Sequence, residues 1–79
     1  MDKRTNAGYE IIKVISLIEE EFVLGVKTVK NKQQYVTWCC VNKDNYHYGH
    51  YFNDYKVAIR DLFERAQQSI KWTLEYLED

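Results

Sequence analysis

The chain changes its hydrophobic rhythm once, near Asn53. Before that point apolar residues come in short runs, several of them alternating with polar ones. After it they recur every three or four positions. The first pattern is that of strands and the second that of an amphipathic helix. Tyr9–Ile18 (YEIIKVISLI) is rich in β-branched residues and too short for a stable lone helix, so it reads as a first strand. Glu19 and Glu20 turn the chain. Glu21–Val29 alternates, with Phe22, Leu24 and Val26 on one face and Val23, Gly25 and Lys27 on the other. Lys30-Asn31-Lys32 reads as a three-residue loop, which would pair Val26 with Val36, Leu24 with Trp38 and Phe22 with Cys40. Gln33–Val41 is the third strand. Asn42–Asn45 is the strongest turn signal, because Asn and Asp tolerate positive φ and bond their own backbone. Tyr46–Phe52 is the fourth strand.

Asn53-Asp54 is a helix start, with Asp54 placed to accept bonds from first-turn amides. Tyr55, Ile59, Leu62, Phe63, Ala66, Ile70, Leu74 and Leu77 then form one apolar stripe. Arg60, Asp61, Glu64, Gln67 and Gln68 fall on the polar side, and Asp61 and Arg65 form a favourable i,i+4 pair. The expected fold is α+β: a four-stranded antiparallel meander followed by one long C-terminal helix packed on one face (ββββα). Residues 1–79 make a single domain, with Met1–Gly8 polar and flexible.

Two faces follow from the alternation. Phe22, Leu24, Val26, Val36, Trp38 and Cys40 are expected to meet the helix. Val23, Lys27, Tyr35, Thr37, Cys39 and Val41 are expected on the other side. Loop length at Asn42–Asn45 decides what the fourth strand adds. Two or four residues pair Val41 with Tyr46, set Trp38 across from Gly49, and make an exposed aromatic platform. Three residues turn those aromatics inward. One helix covers one face of a sheet, so the second face is expected to bind something: a second copy through the sheet or its edges, a partner protein, or nucleic acid.

A chain of 79 residues buries only about 60% of its unfolded surface. Aromatics enlarge such a core, and seven of the twelve lie between Gln33 and Tyr55. The formal charge of −1 argues against a strongly basic nucleic-acid protein. It is unevenly spread, however. Glu19, Glu20, Glu21, Glu75, Glu78 and Asp79 gather at one end of the expected topology, and Lys27, Lys30, Lys32, Lys56 and Arg60 at the other. No apolar run approaches a membrane span, the start MDKRTNAG lacks a secretory h-region, and two adjacent cysteines are not a disulfide framework. A reducing cytoplasm is expected.

Chemistry is sparse. His47-x-x-His50 near Cys39 and Cys40 suggests zinc, but strand residues three apart point to opposite faces, as do adjacent cysteines. Cys39 with His50 would be a nucleophile and base only if they shared a face, and no orienting group or oxyanion signal is visible. No catalytic residue, metal or cofactor is therefore expected. The ββββα order resembles single-stranded nucleic-acid binders of the PUR and Whirly kind. The run from Tyr35 to Cys40 (YVTWCC), then Tyr46–Tyr55 (YHYGHYFNDY) with Ala58, Asp61, Glu64 and Arg65, resembles small proteins and domains of bacterial conjugative elements and phages. That resemblance implies accessory roles, including anti-CRISPR-type inhibitors that occlude a host nuclease or its nucleic-acid complex. The residues expected to touch such a host protein are Glu19, Glu20, Glu21, Tyr35, Tyr46, Tyr48 and His50. The alternative, a single-stranded DNA- or RNA-binding dimer, would stack bases on Tyr35, Tyr46 and Tyr48 and hold phosphates with Lys27, Lys30 and Lys32.

Overall fold

The computed structural model describes residues 3–78. Five strands, β1 (Thr5–Asn6), β2 (Tyr9–Ser16), β3 (Glu21–Val29), β4 (Lys32–Val41) and β5 (Asn45–Phe52), form one antiparallel sheet in chain order, followed by α1 (Tyr55–Glu78). The α+β meander is as expected, with one more strand. Part of the start expected to be loose is ordered: Ala7 and Gly8, both at positive φ, turn Thr5–Asn6 back onto Tyr9 and Glu10. Met1 and Asp2 lie outside the described residues.

The β3–β4 turn has two residues, not three. Lys30 and Asn31 take φ of 51° and 65°, and Val29 pairs with Lys32. Two positive-φ residues in succession match the right-handed twist of flanking strands. The whole pairing moves by one: Leu24 faces Thr37 and Phe22 faces Cys39. Because side chains alternate with period two, this shift exchanges the faces of β4. Tyr35, Thr37 and Cys39 join Phe22 and Leu24 beneath the helix, while Val36, Trp38 and Cys40 turn away from it.

The β4–β5 pairing contains both registers that loop length left open. A three-residue loop, Asn42–Asp44, sets Cys40 opposite Tyr46 and turns Tyr46 inward. A bulge then shifts the ladder, so that beyond it Thr37 faces His50 and Val36 faces Tyr51. Tyr48, at φ 56°, lies in this bulge. Gly49 beside it leaves room for Trp38: a Cβ there would stand 2.9 Å from the indole Nε1.

There are two cores, one on each face. On the helix side Phe22 and Leu24 pack against Ala58, Leu62 and Ala66. The i, i+4, i+8 spacing of those three, with two alanines, brings the helix close to the sheet. Asp54 caps it as expected, its Oδ1 accepting from the Lys56 amide at 2.8 Å. On the far side Tyr9, Val23, Val36, Trp38 and Cys40 form a second cluster with no layer over it. The sheet curls to close this cluster itself. Tyr9 of β2 meets Trp38 edge-on at 5.6 Å and reaches Tyr51 of β5 at 6.4 Å, and Tyr46 lies edge-on to Trp38 at 5.5 Å. Gly25 makes the curl possible, since a Cβ there would stand 3.0 Å from the Tyr9 Cβ.

Arg4 completes the closure. Its Nε donates to the Tyr46 hydroxyl at 2.9 Å, and its Nη2 to Glu21 at 2.8 Å, to the Lys43 carbonyl at 3.2 Å and towards the Cys40 sulfur at 3.3 Å. The bond to Glu21 and the neighbouring Tyr46 raise the Arg4 pKa further still, against the opposing effect of burial. The face expected to be open and to need a partner is thus closed by the chain itself.

Candidate functional site

The seam between α1 and the sheet is polar at its centre. Thr37, fully buried, donates to Asp61 Oδ2 at 2.5 Å and accepts from Arg65 Nη1 at 3.1 Å. Arg65 also bonds the Thr37 carbonyl at 3.0 Å, and His50 Nδ1 lies 3.0 Å from Asp61 Oδ2. Asp61 therefore faces the sheet rather than the polar side of the helix, and it and Arg65 meet through Thr37. One turn along, Ser69 Oγ donates to Glu20 Oε1, and Cys39 Sγ donates to Glu20 Oε2 at 3.2 Å.

This seam has an Asp–His couple, but the rest of a nucleophilic site is not assembled around it. Among the described residues no hydroxyl or thiol is hydrogen-bonded to His50 Nε2. Burial, reinforced by Glu20, pushes the Cys39 thiol up to about 11, so it is protonated at neutral pH and a poor nucleophile. The two histidines share a face after all: the loop register puts His47 opposite Cys39, and the bulge at Tyr48 puts His50 opposite Thr37, both on the helix side. No group of three potential metal ligands forms among the described residues. Cys39 and Cys40 do diverge, one under the helix and one in the far-side core.

The residues expected at an interface are dispersed. Glu20 is committed to Cys39 and Ser69, and Glu21 to Arg4, which leaves Glu19 as the exposed member of the acidic run. Tyr46 is packed beneath Arg4, and Tyr35 lies edge-on to Tyr55 at 5.5 Å beside the helix-side core. Tyr48 stands in solvent next to His47. Lys30 and Lys32 are exposed at the β3–β4 turn, whereas Lys27 Nζ sits 4.7 Å from the Tyr9 ring centroid. These side chains do not form one platform.

A different surface is continuous. The long helix returns to the acidic end and there borders a groove of about 720 Å³. Leu17, Ile18 and Val41 form one wall, and Trp72, Thr73 and Tyr76 the other, with Glu19 at the rim. Ile18 and Tyr76 are each 80% exposed, and Trp72 63%. Trp72 continues into an adjoining groove of about 370 Å³ with Tyr48, His50 and Arg65. Trp72, Tyr76 and Ile18 were not singled out by sequence pattern. The available signal was two large aromatics four residues apart on a helix whose sheet-facing side had turned to small residues. No helix among the described residues is long and apolar enough to cross a membrane. Comparison with protein-family models, with curated proteins and with solved structures finds no significant match.

Proposed function

We propose that this chain is a non-enzymatic binding protein that occludes a partner protein through the groove at its acidic end. The observation that carries this reading is the exposed Trp72–Tyr76–Ile18 surface beside Glu19. Large aromatics in a concave apolar setting are the usual anchors of protein interfaces, and contiguous exposed apolar surface marks such sites. The matching surface on the partner is an apolar ridge flanked by lysine or arginine, as on enzymes that handle nucleic acid. The resemblance to proteins of mobile elements favours a host nuclease among those. The contact set moves accordingly. Glu19, Tyr48 and His50, the last two in the adjoining groove, are kept from the expected residues, while Glu20, Glu21, Tyr35 and Tyr46 serve the fold.

The test is titration of the protein into purified host nucleases, with cleavage of labelled DNA and calorimetric stoichiometry as readouts. Inhibition complete at one-to-one, lost in Trp72→Ala and Tyr76→Ala and weakened in Glu19→Lys, is the expected result. Inhibition indifferent to all three substitutions would place the interface elsewhere. The single-stranded nucleic-acid reading is tested alongside by anisotropy of a labelled oligonucleotide. Micromolar binding that weakens with salt and with loss of Lys30 or Lys32 would replace the protein-occlusion reading.

A further inference from the structure

Helix α1 carries a second apolar stripe, set off from the one that meets the sheet. Phe63, Ile70, Leu74 and Leu77 lie between 43 and 64% exposed, although each is a large apolar side chain. With Gln67 they follow the alternating spacing of four and three that makes a coiled-coil seam: Phe63, Gln67, Ile70, Leu74, Leu77. Ala58, Leu62 and Ala66, which bury against the sheet, lie on a different side of the same helix.

We propose that this stripe is the interface of an antiparallel homodimer, helix against helix, with a second copy of the chain. The occupant is identified by charge. The residues that flank the seam on the side away from the sheet are Glu64 and Lys71, both exposed, and neither forms an ion pair among the described residues. On the sheet-facing flank stand Ile59, Ala66 and Thr73, which carry no charge. Two parallel copies would therefore set Glu64 against Ile59 and Lys71 against Ala66, with no attraction to align them. In two antiparallel copies flanking residues of the same type meet. Placing Phe63 against the second copy's Leu74, and Gln67 against its Ile70, brings Glu64 beside the second copy's Lys71, twice by symmetry. A shift of one heptad in either direction sets Glu64 against Glu64 or Lys71 against Lys71. Charge thus favours one register and one orientation, which is what a two-fold interface requires of a single surface.

The geometry suits a side-by-side arrangement. The seam runs along one flank of α1, so a two-fold axis perpendicular to the helices would leave both sheets on the same side. The helix is already held by the sheet, so association need not supply its formation. The polar Gln67 inside the seam, and Arg60, which the same register sets against the second copy's Leu77, cost affinity and help to fix the register. Trp72 and Tyr76 of the acidic-end groove lie outside the seam, whereas Leu77 lines both, so Glu64 and Lys71, which do not line that groove, are the positions that test dimerisation apart from the proposed partner binding.

Sedimentation velocity across micromolar to millimolar protein tests the proposal, with circular dichroism to confirm the fold of each variant. The expected result is a concentration-dependent shift from the 9.5 kDa chain to twice that mass. Glu64→Lys or Lys71→Glu alone should weaken the dimer by about tenfold or more, and the double swap should restore it. Leu74→Glu should abolish it. A chain that stays monomeric throughout, or a dimer unaffected by either single swap, would overturn the proposal. So would a dimer that the double swap fails to rescue.

Discussion

The two halves of α1 are built from similar residues and stand in opposite surroundings. From Tyr55 to Ser69 the sheet lies alongside, and almost every turn contributes a buried or bonded side chain: Ala58, Asp61, Leu62, Arg65, Ala66, Ser69. From Ile70 to Leu77 the helix continues with Ile70, Trp72, Leu74, Tyr76 and Leu77, all exposed. A helix needs an apolar face to be held, and the first half has one of ordinary size. The second half has more apolar surface than its neighbours cover. Structure in the first half explains the fold, and what remains in the second half is available for association.

The sharpest way to break this contrast is at Leu62, which is 1% exposed. Leu62→Ala should cost about 2–5 kcal/mol in urea unfolding, a large share of the stability of so small a domain. Next is Asp61→Ala, which strands the buried Thr37 hydroxyl beside Arg65. A loss of about 1–3 kcal/mol is expected by the same measurement, with a smaller loss for Asp61→Asn. At the border between the halves stands Cys39. Its folded thiol is raised to about 11 by burial and by Glu20, above its ordinary 9.0. The folded state therefore holds this proton more tightly than the unfolded state. The associated stability is complete below about pH 9 and falls as pH rises towards 11. Cys39→Ala should flatten that alkaline decline, and iodoacetamide should alkylate wild-type Cys39 slowly at pH 8. The smallest effect belongs to the second half: Tyr76→Ala should change unfolding free energy by no more than about 0.5 kcal/mol. A loss of several kcal/mol there would mean that the distal half is part of the core.

Much of the architecture was legible in the sequence. The strand runs, the single switch of rhythm at Asn53, the Asp54 cap and the turn chemistry at Asn42–Asn45 place α1 and all four long strands within a residue or two. The faces were not legible, because they hang on loop counts. Lys30-Asn31-Lys32 is compatible with two or three loop residues, and only the paired positive φ of Lys30 and Asn31 decides it. The bulge at Tyr48 has no local signature beyond Gly49, yet it brings His50 onto the same face as His47. The fifth strand was hidden in a polar start, although Asn6-Ala7-Gly8 carries turn chemistry in retrospect. Arg4 gave no signal at all. A lone arginine near a chain start looks like solvated charge until the sheet curls towards it. The curl also moves the candidate interface. Loop length leaves the aromatics between Gln33 and Tyr55 either as an exposed platform or turned inward, and the expectation of an open face rests on one helix covering one side; the sheet covers its second face alone.

The Arg4 clasp bears on how this domain comes apart. Its side-chain bonds bridge sequence separations of 17, 36, 39 and 42 residues, and among the described residues only the Ser69–Glu20 bond spans further than the last three. Contacts that join distant segments at a sheet's outermost strand are the kind that lock only after the β3–β4 hairpin and its neighbours have paired. Interactions absent from the transition state leave the folding rate alone and act on the rate of opening. Arg4 is therefore a latch on lifetime: its removal would shorten the native state's persistence while the chain refolds as quickly as before.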